Sequence, residues 1–410
     1  MEVAGARIPT EARFHFLRSY GLRSEKSLTG AQFWHIGPAS GSGEPVQHLR
    51  GGDMRTHRAS RVGVVGVGYW GSKHVRVLQS LERVASVAII DPRQERLDAL
   101  QRTFPSVQAF TSLEAALPAV DAVVVATPPT THLPIGLAAI AAGKHVLIEK
   151  PLATSVADAR ALIDAADQRD VLLMVGHTFE HNRAVWRMRE LVQSGELGEL
   201  YYIDTARLNL GLYQPDVNVI SDLAPHDVSI VNLLMGREPT AVQAWGSRHA
   251  HRRFEDVAYV RMTYDDMGVS ANIHVSWLDP CKVRRVTVVG SRKMAVYNDL
   301  ASDERVRIHD KSVYCPVDEG DLTQPPTSYR YGDIIVPFVP ADEPLAVELD
   351  HFVECIATAS PCRTDGRNGL AVVRVIAAAQ ASLRTGRPVT LDEVDDELGS
   401  PYGSFTTVAG

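Results

Sequence analysis

One stretch constrains this chain more than any other. In RVGVVGVGYWGSKHVRVL, Gly66, Gly68 and Gly71 stand in Gly-x-Gly-x-x-Gly spacing between an apolar run and an amphipathic segment. The context matters more than the spacing: a strand precedes, a helix follows, and Asp91 ends the next apolar run, VASVAIID, 20 positions past Gly71. Glycines there let the backbone approach a pyrophosphate, whose charge is favoured at a helix N-terminus. Tyr69 and Trp70, inside the motif, are grouped with the cofactor contacts. A carboxylate at Asp91 bonds a ribose 2′-hydroxyl and repels a 2′-phosphate, so NAD is expected over NADP; Arg93, two residues on, tempers that preference.

The alternation continues. RVGVVGV, VASVAIID, VDAVVVATPP, KHVLIEK and VLLMVGH are separated by amphipathic segments such as RQERLDALQRT and VADARALIDAADQR. Val- and Ile-rich runs followed by helices indicate a parallel sheet covered on both faces, a doubly wound α/β domain of the Rossmann type over residues 59–176. Beyond Gly176 the pattern changes to a helix over 182–193, the strand LYYIDTARLNL, a helix beginning at Pro225, then strands joined by short turns. This predicts an α+β domain over 177–410 with a mostly antiparallel open sheet. A chain of 410 residues suits two such domains. The proline-rich stretch 311–344 reads as a long ordered loop or flap, and helices near 345–359 and 367–385 close the chain. Residues 1–58 lack sustained periodicity and read as a disordered extension.

Bulk properties narrow the partners. A net charge of −7 gives no global attraction to nucleic acid or anionic membrane, which leaves small molecules and copies of the chain itself. Cys281, Cys315, Cys355 and Cys362 form no CxxC pair and no zinc-binding pattern, so they read as reduced thiols in a cytoplasmic protein with no metal. No run approaches the roughly 18 apolar residues that a membrane span requires.

The chemistry is expected where the parallel strands end, because ligands of open α/β sheets bind beyond the strands' carboxyl ends. VVVATPPTTH places Thr127, Pro128 and His132 on the nicotinamide side, although His132 equally suits a helix cap. HVLIEKPLATS ends a strand with Glu149, grouped with the cofactor contacts, then Lys150 and Pro151; Lys150 faces the substrate unless it is only a solvated strand end, and a cis bond at Pro151 would fix its direction. In SDLAPHDVSIVNLLMG, Pro225 is placed in a first helical turn, and Asp222 and His226 stand four apart, able to meet across it. A histidine near a helix N-terminus is pushed toward its neutral form, suited to a general base; a capping arrangement with a core histidine is the plain alternative. Asn182, Arg207, Asn209 and Tyr331 are candidates for sugar or diphosphate contacts, Arg207 foremost because guanidinium matches phosphate bidentately.

Taken together, GVGYWG, ATPPTTH, GKHVLIEKPLATS and DLAPHD resemble the Gfo/Idh/MocA oxidoreductase family from about Arg61 to the C-terminus. Lys150 matches the lysine of that family's EKP signature, and Asp222 and His226 its Asp-x-x-x-His pair. MVGHTFEHN, GELGELYYIDTARLNLG, VSWLDPCKVRRVTVVGS and SYRYGDI look most like its branch of UDP-N-acetylglucosamine 3-dehydrogenases and related nucleotide-sugar dehydrogenases. The resemblance implies NAD-linked hydride transfer at a secondary hydroxyl or ketone of a sugar, carried on a nucleotide, by a homodimer or homotetramer associating through the open sheet. In that expectation His226 moves the hydroxyl proton, Lys150 bonds the same oxygen and Asp222 orients the histidine. The rivals are a dehydrogenase of a free sugar or cyclitol such as inositol, and a dinucleotide-binding sensor without turnover. A sensor has no need of a proton-transfer pair.

Overall fold

Short runs of valine and isoleucine build the first sheet. The computed structural model describes residues 60–214, 216–250, 252–314 and 328–397; the expected N-terminal extension and Cys315 lie outside the described residues. Strands β1 (Ser60–Val65), β2 (Val84–Ile90), β3 (Gln108–Phe110), β4 (Ala122–Val125), β5 (His145–Glu149) and β6 (Leu173–Gly176) pair in parallel in the order β3-β2-β1-β4-β5-β6. Helices α1 (Tyr69–Leu78), α2 (Gln94–Thr103), α3 (Leu113–Ala116), α4 (His132–Ala141) and α5 (Val156–Arg169) connect them. Coverage on both faces is why the strands read as continuous apolar runs: Val62, Val64, Ile89, Val124 and Leu147 are all fully buried. The strand order reverses direction between β1 and β4, so their carboxyl ends open the crevice in which such sheets take ligands.

After β6, a 3₁₀ turn (Thr178–His181) leads into α6 (Arg183–Gln193), whose N-terminus Asn182 caps by accepting the Ala184 N–H at 2.9 Å. Then come β7 (Leu200–Leu210), α7 (Val219–Met235), β8 (Ala241–Ser247), β9 (Val257–Tyr264), β10 (Val269–Ser276), β11 (Leu278–Gly290), β12 (Met294–Asn298), β13 (Val306–Tyr314), β14 (Ser328–Ile335), α8 (Pro344–Thr358), α9 (Gly366–Thr385), β15 (Val389–Thr390) and α10 (Leu391–Glu397). The second sheet runs β14-β13-β12-β11-β7-β10-β9-β8-β15 and is antiparallel throughout except for the parallel pair β7–β10. A parallel pair needs a long crossover, and α7 lies within this one, packed on both strands. Helices α8 and α9 return to the first sheet, packing on α1, α5 and β6, and the described elements fall in one compact unit, Thr56–Gly410.

Two expectations are corrected. The stretch expected as a flap contributes strands at both ends, since β13 and β14 pair antiparallel from Ile308–Ile335 to Tyr314–Ser328; residues 315–327 lie outside the described residues. Helix α7 starts at Val219 rather than Pro225, because Asn218 caps it by accepting the Ser221 N–H at 3.1 Å. Pro225 therefore sits inside the helix, where its missing N–H and its ring open the local hydrogen-bond ladder.

Candidate active site

The three glycines of the first loop do different work. At Gly66 φ is +84°, and a Cβ would lie 2.7 Å from Thr127 Cγ2 and 2.8 Å from the Ala126 carbonyl oxygen. At Gly71 a Cβ would fall 1.9 Å from the Gly66 carbonyl oxygen, so this glycine lets α1 seat against β1. Gly68 has only Arg96 Nη1 near, at 3.8 Å: the space before it is open. Helix α1 begins there without a side-chain cap and without an acid in its first turn, leaving backbone N–H groups directed at that space. A cradle of this kind fits a pyrophosphate. Asp91 lies beside it, accepting the Val67 N–H at 3.2 Å and the Arg93 N–H at 3.0 Å. Its burial works to raise its pKa, yet those two bonds and Arg96 hold the carboxyl below its ordinary value. Arg93 and Arg96 both reach Asp91, at 3.5 and 3.4 Å.

Two residues expected at the cofactor are committed elsewhere. His132 is fully buried, with its ring nitrogens 2.8 Å from the Pro151 carbonyl and 2.9 Å from the Thr127 carbonyl. It ties together the loops after β4 and β5. Glu149 places one carboxylate oxygen 2.7 Å from His74 Nε2 on α1 and accepts the Lys150 N–H with the other at 3.2 Å. Burial would raise the Glu149 pKa, but His74 and then Lys150 hold it below its usual range. Glu149 thus anchors the β5 end to α1. Thr127 does border the glycine loop, and its Oγ1 accepts the Thr131 hydroxyl at 2.7 Å.

The catalytic candidates converge on α7. The Lys150–Pro151 peptide is cis, as expected. Lys150 Nζ donates to the Asp222 carbonyl at 3.1 Å, in the turn that Pro225 opens. Burial lowers the Lys150 pKa, opposed by Asp222 and Glu149. His226, one turn on, stacks edge-to-face on Phe179 with ring centroids 5.2 Å apart, and its Nδ1 has no hydrogen-bond partner among the described residues. Burial, reinforced by Lys150 and Arg207, pushes its pKa well below the ordinary histidine value. The neutral imidazole is as expected; the cause is desolvation and neighbouring cations, since the helix N-terminus is two turns away. The Asp222 carboxylate does not bond His226. It accepts the indole N–H of the buried Trp277 at 2.9 Å, so Asp222 fixes the turn that receives Lys150.

His226 lines a cavity of about 470 Å³ together with Tyr69, Trp70, Phe179, Asn182, Arg207 and Asn209. The cavity therefore runs from the glycine loop to β7. Arg207 does not offer a free fork: its Nε donates to Asp227 at 2.6 Å, both residues are buried, and its guanidinium lies 4.6 Å from the Phe179 ring. Asn182 donates to the Tyr297 hydroxyl at 3.0 Å, which donates to Asp299 at 2.7 Å; Asp299 in turn accepts from Arg284 at 3.2 Å. Tyr331 lies on the edge strand β14, 75% exposed, and is not on the cavity wall.

Several site residues escaped the sequence reading. His177, just past β6, is buried with neither ring nitrogen partnered among the described residues, and burial with Lys150 lowers its pKa to about 4. Its signal was position: it follows Gly176 at a strand's carboxyl end. Lys73, Lys282, Arg284 and Asp299 also reach the cavity wall. Behind the 3₁₀ turn, Glu180 accepts both Asn368 side-chain bonds, at 3.2 and 3.1 Å, and burial pushes its pKa up to about 8.

Comparison with known proteins identifies the family of this fold. Residues 60–177 match the oxidoreductase family model with an NAD-binding Rossmann fold, and residues 185–296 match the GFO/IDH/MocA C-terminal domain. A UDP-N-acetylglucosamine 3-dehydrogenase of Acidithiobacillus ferrooxidans is 32% identical over 332 residues, 78% of this chain and 95% of that protein. Myo-inositol 2-dehydrogenase of Thermotoga maritima is 27% identical, covering 82% of this chain and 99% of its own. Among solved structures, the UDP-N-acetylglucosamine 3-dehydrogenase GnnA from A. ferrooxidans superposes with a TM-score of 0.65 at 28% identity, covering 82% of this chain and 98% of its own. GenD2 from gentamicin A biosynthesis, in complex with NAD, gives 0.67 at 26%, covering 81% and 96%. With the glycine motif's Tyr69 and Trp70 at one end of the cavity, His226 at the other, and Lys150 bonded to the Asp222 carbonyl one turn before it, this chain belongs to the Gfo/Idh/MocA oxidoreductases, NAD-dependent enzymes with a Rossmann domain.

Proposed function

We propose that the protein oxidises, or in reverse reduces, a secondary hydroxyl of a sugar carried on a nucleotide. The observation that carries this reading is the desolvated imidazole of His226, its Nδ1 without a hydrogen-bond partner among the described residues, on the wall of a cavity that begins at the glycine loop. Bound NAD supplies the hydride acceptor. His226, neutral near pH 7, takes the hydroxyl proton as the hydride leaves. Lys150 uses one of its three donors on the Asp222 carbonyl, which leaves others to bond the substrate oxygen and stabilise its developing negative charge. Asp222 acts on Lys150 through that carbonyl. Residues 59–176 hold the dinucleotide and 177–410 supply most of the substrate wall. The 32% identical relative, named as acting on UDP-N-acetylglucosamine, supports a nucleotide-sugar substrate; the inositol dehydrogenase relative keeps a free cyclitol as the second reading.

Product analysis with NAD and a panel of UDP-, GDP- and TDP-sugars, beside free sugars and inositol, tests this. Turnover of a nucleotide-sugar is expected; turnover of inositol alone would overturn the nucleotide part. A homodimer or homotetramer through the open face of the second sheet completes the proposal. Trp245, Tyr259 and His274 stack there with centroids 5.4 and 4.1 Å apart, and Trp245 is 53% exposed. A second copy would cover that face, so Tyr259→Lys should shift the sedimenting species toward monomer.

A further inference from the structure

The ladder between β11 and β7 is interrupted. Leu278 pairs with Leu210 and Val283 with Leu208, so Asp279–Lys282 bulge out opposite the single residue Asn209. Bulges re-aim side chains beside functional sites, and this one delivers Lys282 to the wall that Asn209 and His226 share.

The charges on that wall are unevenly matched. Its cations are Lys73, Arg76, Arg207, Lys282 and Arg284. Each arginine has a carboxylate: Arg76 pairs with Glu343, Arg207 with Asp227 and Arg284 with Asp299. Neither lysine forms an ion pair among the described residues; Lys73 Nζ lies 5.5 Å from the Tyr69 ring. In a chain of net charge −7, an uncompensated positive wall is a local feature, and such a wall draws anions. A neutral polyol gains little from two free ammonium groups.

We propose that Lys282, with Lys73, binds the diphosphate of the substrate and so separates nucleotide-linked sugars from neutral sugars and cyclitols. The inference rests on the dehydrogenase reading of the same cavity. Arg207 is not the anion ligand, because its fork is held by Asp227. A sugar carboxylate offers related anionic chemistry, but its charge sits on one carbon. Ammonium groups on separate elements, α1 and β11, suit two phosphoryl groups better.

The test uses full-length protein saturated with NAD. Binding of UDP, GDP and dTDP, with glucuronate as the carboxylate arm, is measured by calorimetry for the parent, Lys73→Gln, Lys282→Gln and Lys282→Arg, each checked for folding by circular dichroism. At least one nucleoside diphosphate should bind in competition with substrate, and Lys282→Gln should weaken it by about tenfold, the scale of one charge-assisted bond. Lys282→Arg should keep most of the affinity, whereas Lys282→Gln should raise KM with kcat nearly unchanged. Unaltered diphosphate affinity in Lys282→Gln, or a loss confined to glucuronate, would overturn the proposal. The two readings fail separately: an inert His226→Ala beside unaltered diphosphate binding in Lys282→Gln removes only the subsite. A fully active His226→Ala beside lost diphosphate binding removes only the catalytic roles.

Discussion

The two ends of the cavity are built on different terms. At the dinucleotide end the backbone does the work: Gly66 and Gly71 are demanded by contacts of 2.7 and 1.9 Å that any Cβ would make, while Gly68 leaves space for a ligand. At the chemical end, side chains from the 3₁₀ turn, β7, α7 and β11 meet, with Lys150 from just past β5 bonded to α7, and what each can do depends on which partner has already claimed it. A site made by backbone tolerates almost no substitution and shows itself in a local motif. A site made by distant side chains is decided by pairings that no local motif records.

The largest effect should separate the ends most cleanly. His226→Ala should lower kcat by about 100- to 10,000-fold while NAD affinity stays near that of the parent. Lys150→Ala should behave similarly, and steady-state kinetics of the double variant should show a loss well short of the product of the singles, because both act on one oxygen. Full multiplication would mean that the pair does not share an atom.

Next comes a contrast within the glycine loop. Gly71→Val drives its side chain into the Gly66 carbonyl and should cost about 1–3 kcal/mol or more, read as a lower melting temperature. Gly68→Val should leave melting nearly unchanged yet largely remove NAD binding, measured by calorimetry. If both variants lost stability equally, the open space at Gly68 would not be the cofactor's.

Asp91→Ala should weaken NAD by about tenfold and improve NADP, because Arg93 and Arg96 lose the carboxylate that holds them. Unchanged preference in NAD and NADP titrations would place Asp91 outside the ribose site.

The smallest effect concerns pH. With Glu180 at about 8 when folded and an ordinary value of 4.5 when unfolded, the folded state holds a proton that the unfolded state has lost between those values. Its contribution to stability is complete below pH 4.5 and is lost as pH rises through 8, with a slope of about 1.4 kcal/mol per pH unit in between. Melting curves from pH 6.5 to 8 should fall less steeply for Glu180→Gln than for the parent. Parallel curves would mean that Glu180 is ionised in the folded protein.

The same contrast explains what was legible. The parallel sheet and the glycine cradle follow from local patterns, because burial on both faces and backbone close approach leave marks in consecutive residues. Lys150 and His226 were legible as motif members at a strand end and on a helix. Arg207 lines the cavity as read, but its pairing was not legible, because its partner Asp227 lies on another element, 20 positions away, where no periodicity links them. Asp222 misled for the same reason: Trp277 claims its carboxylate from the second sheet. Glu149 and His132 sit where cofactor contacts are expected, yet His74 and two backbone carbonyls take up their polar atoms. Lys282 escaped because Asp279 and Pro280 disguise a bulge as a turn.

The bond between Trp277 and Asp222 has an optical consequence. An indole shielded from water, with its N–H fixed on a carboxylate in the turn that receives Lys150, emits from a setting that a substrate bound at Lys150 would perturb electrostatically. Trp70, 49% exposed on the first turn of α1, stands instead at the dinucleotide end, and Trp245 on the open sheet face. Variants retaining one of these indoles at a time would give separate fluorescence readouts of events at the chemical end, at the nucleotide and between copies of the chain.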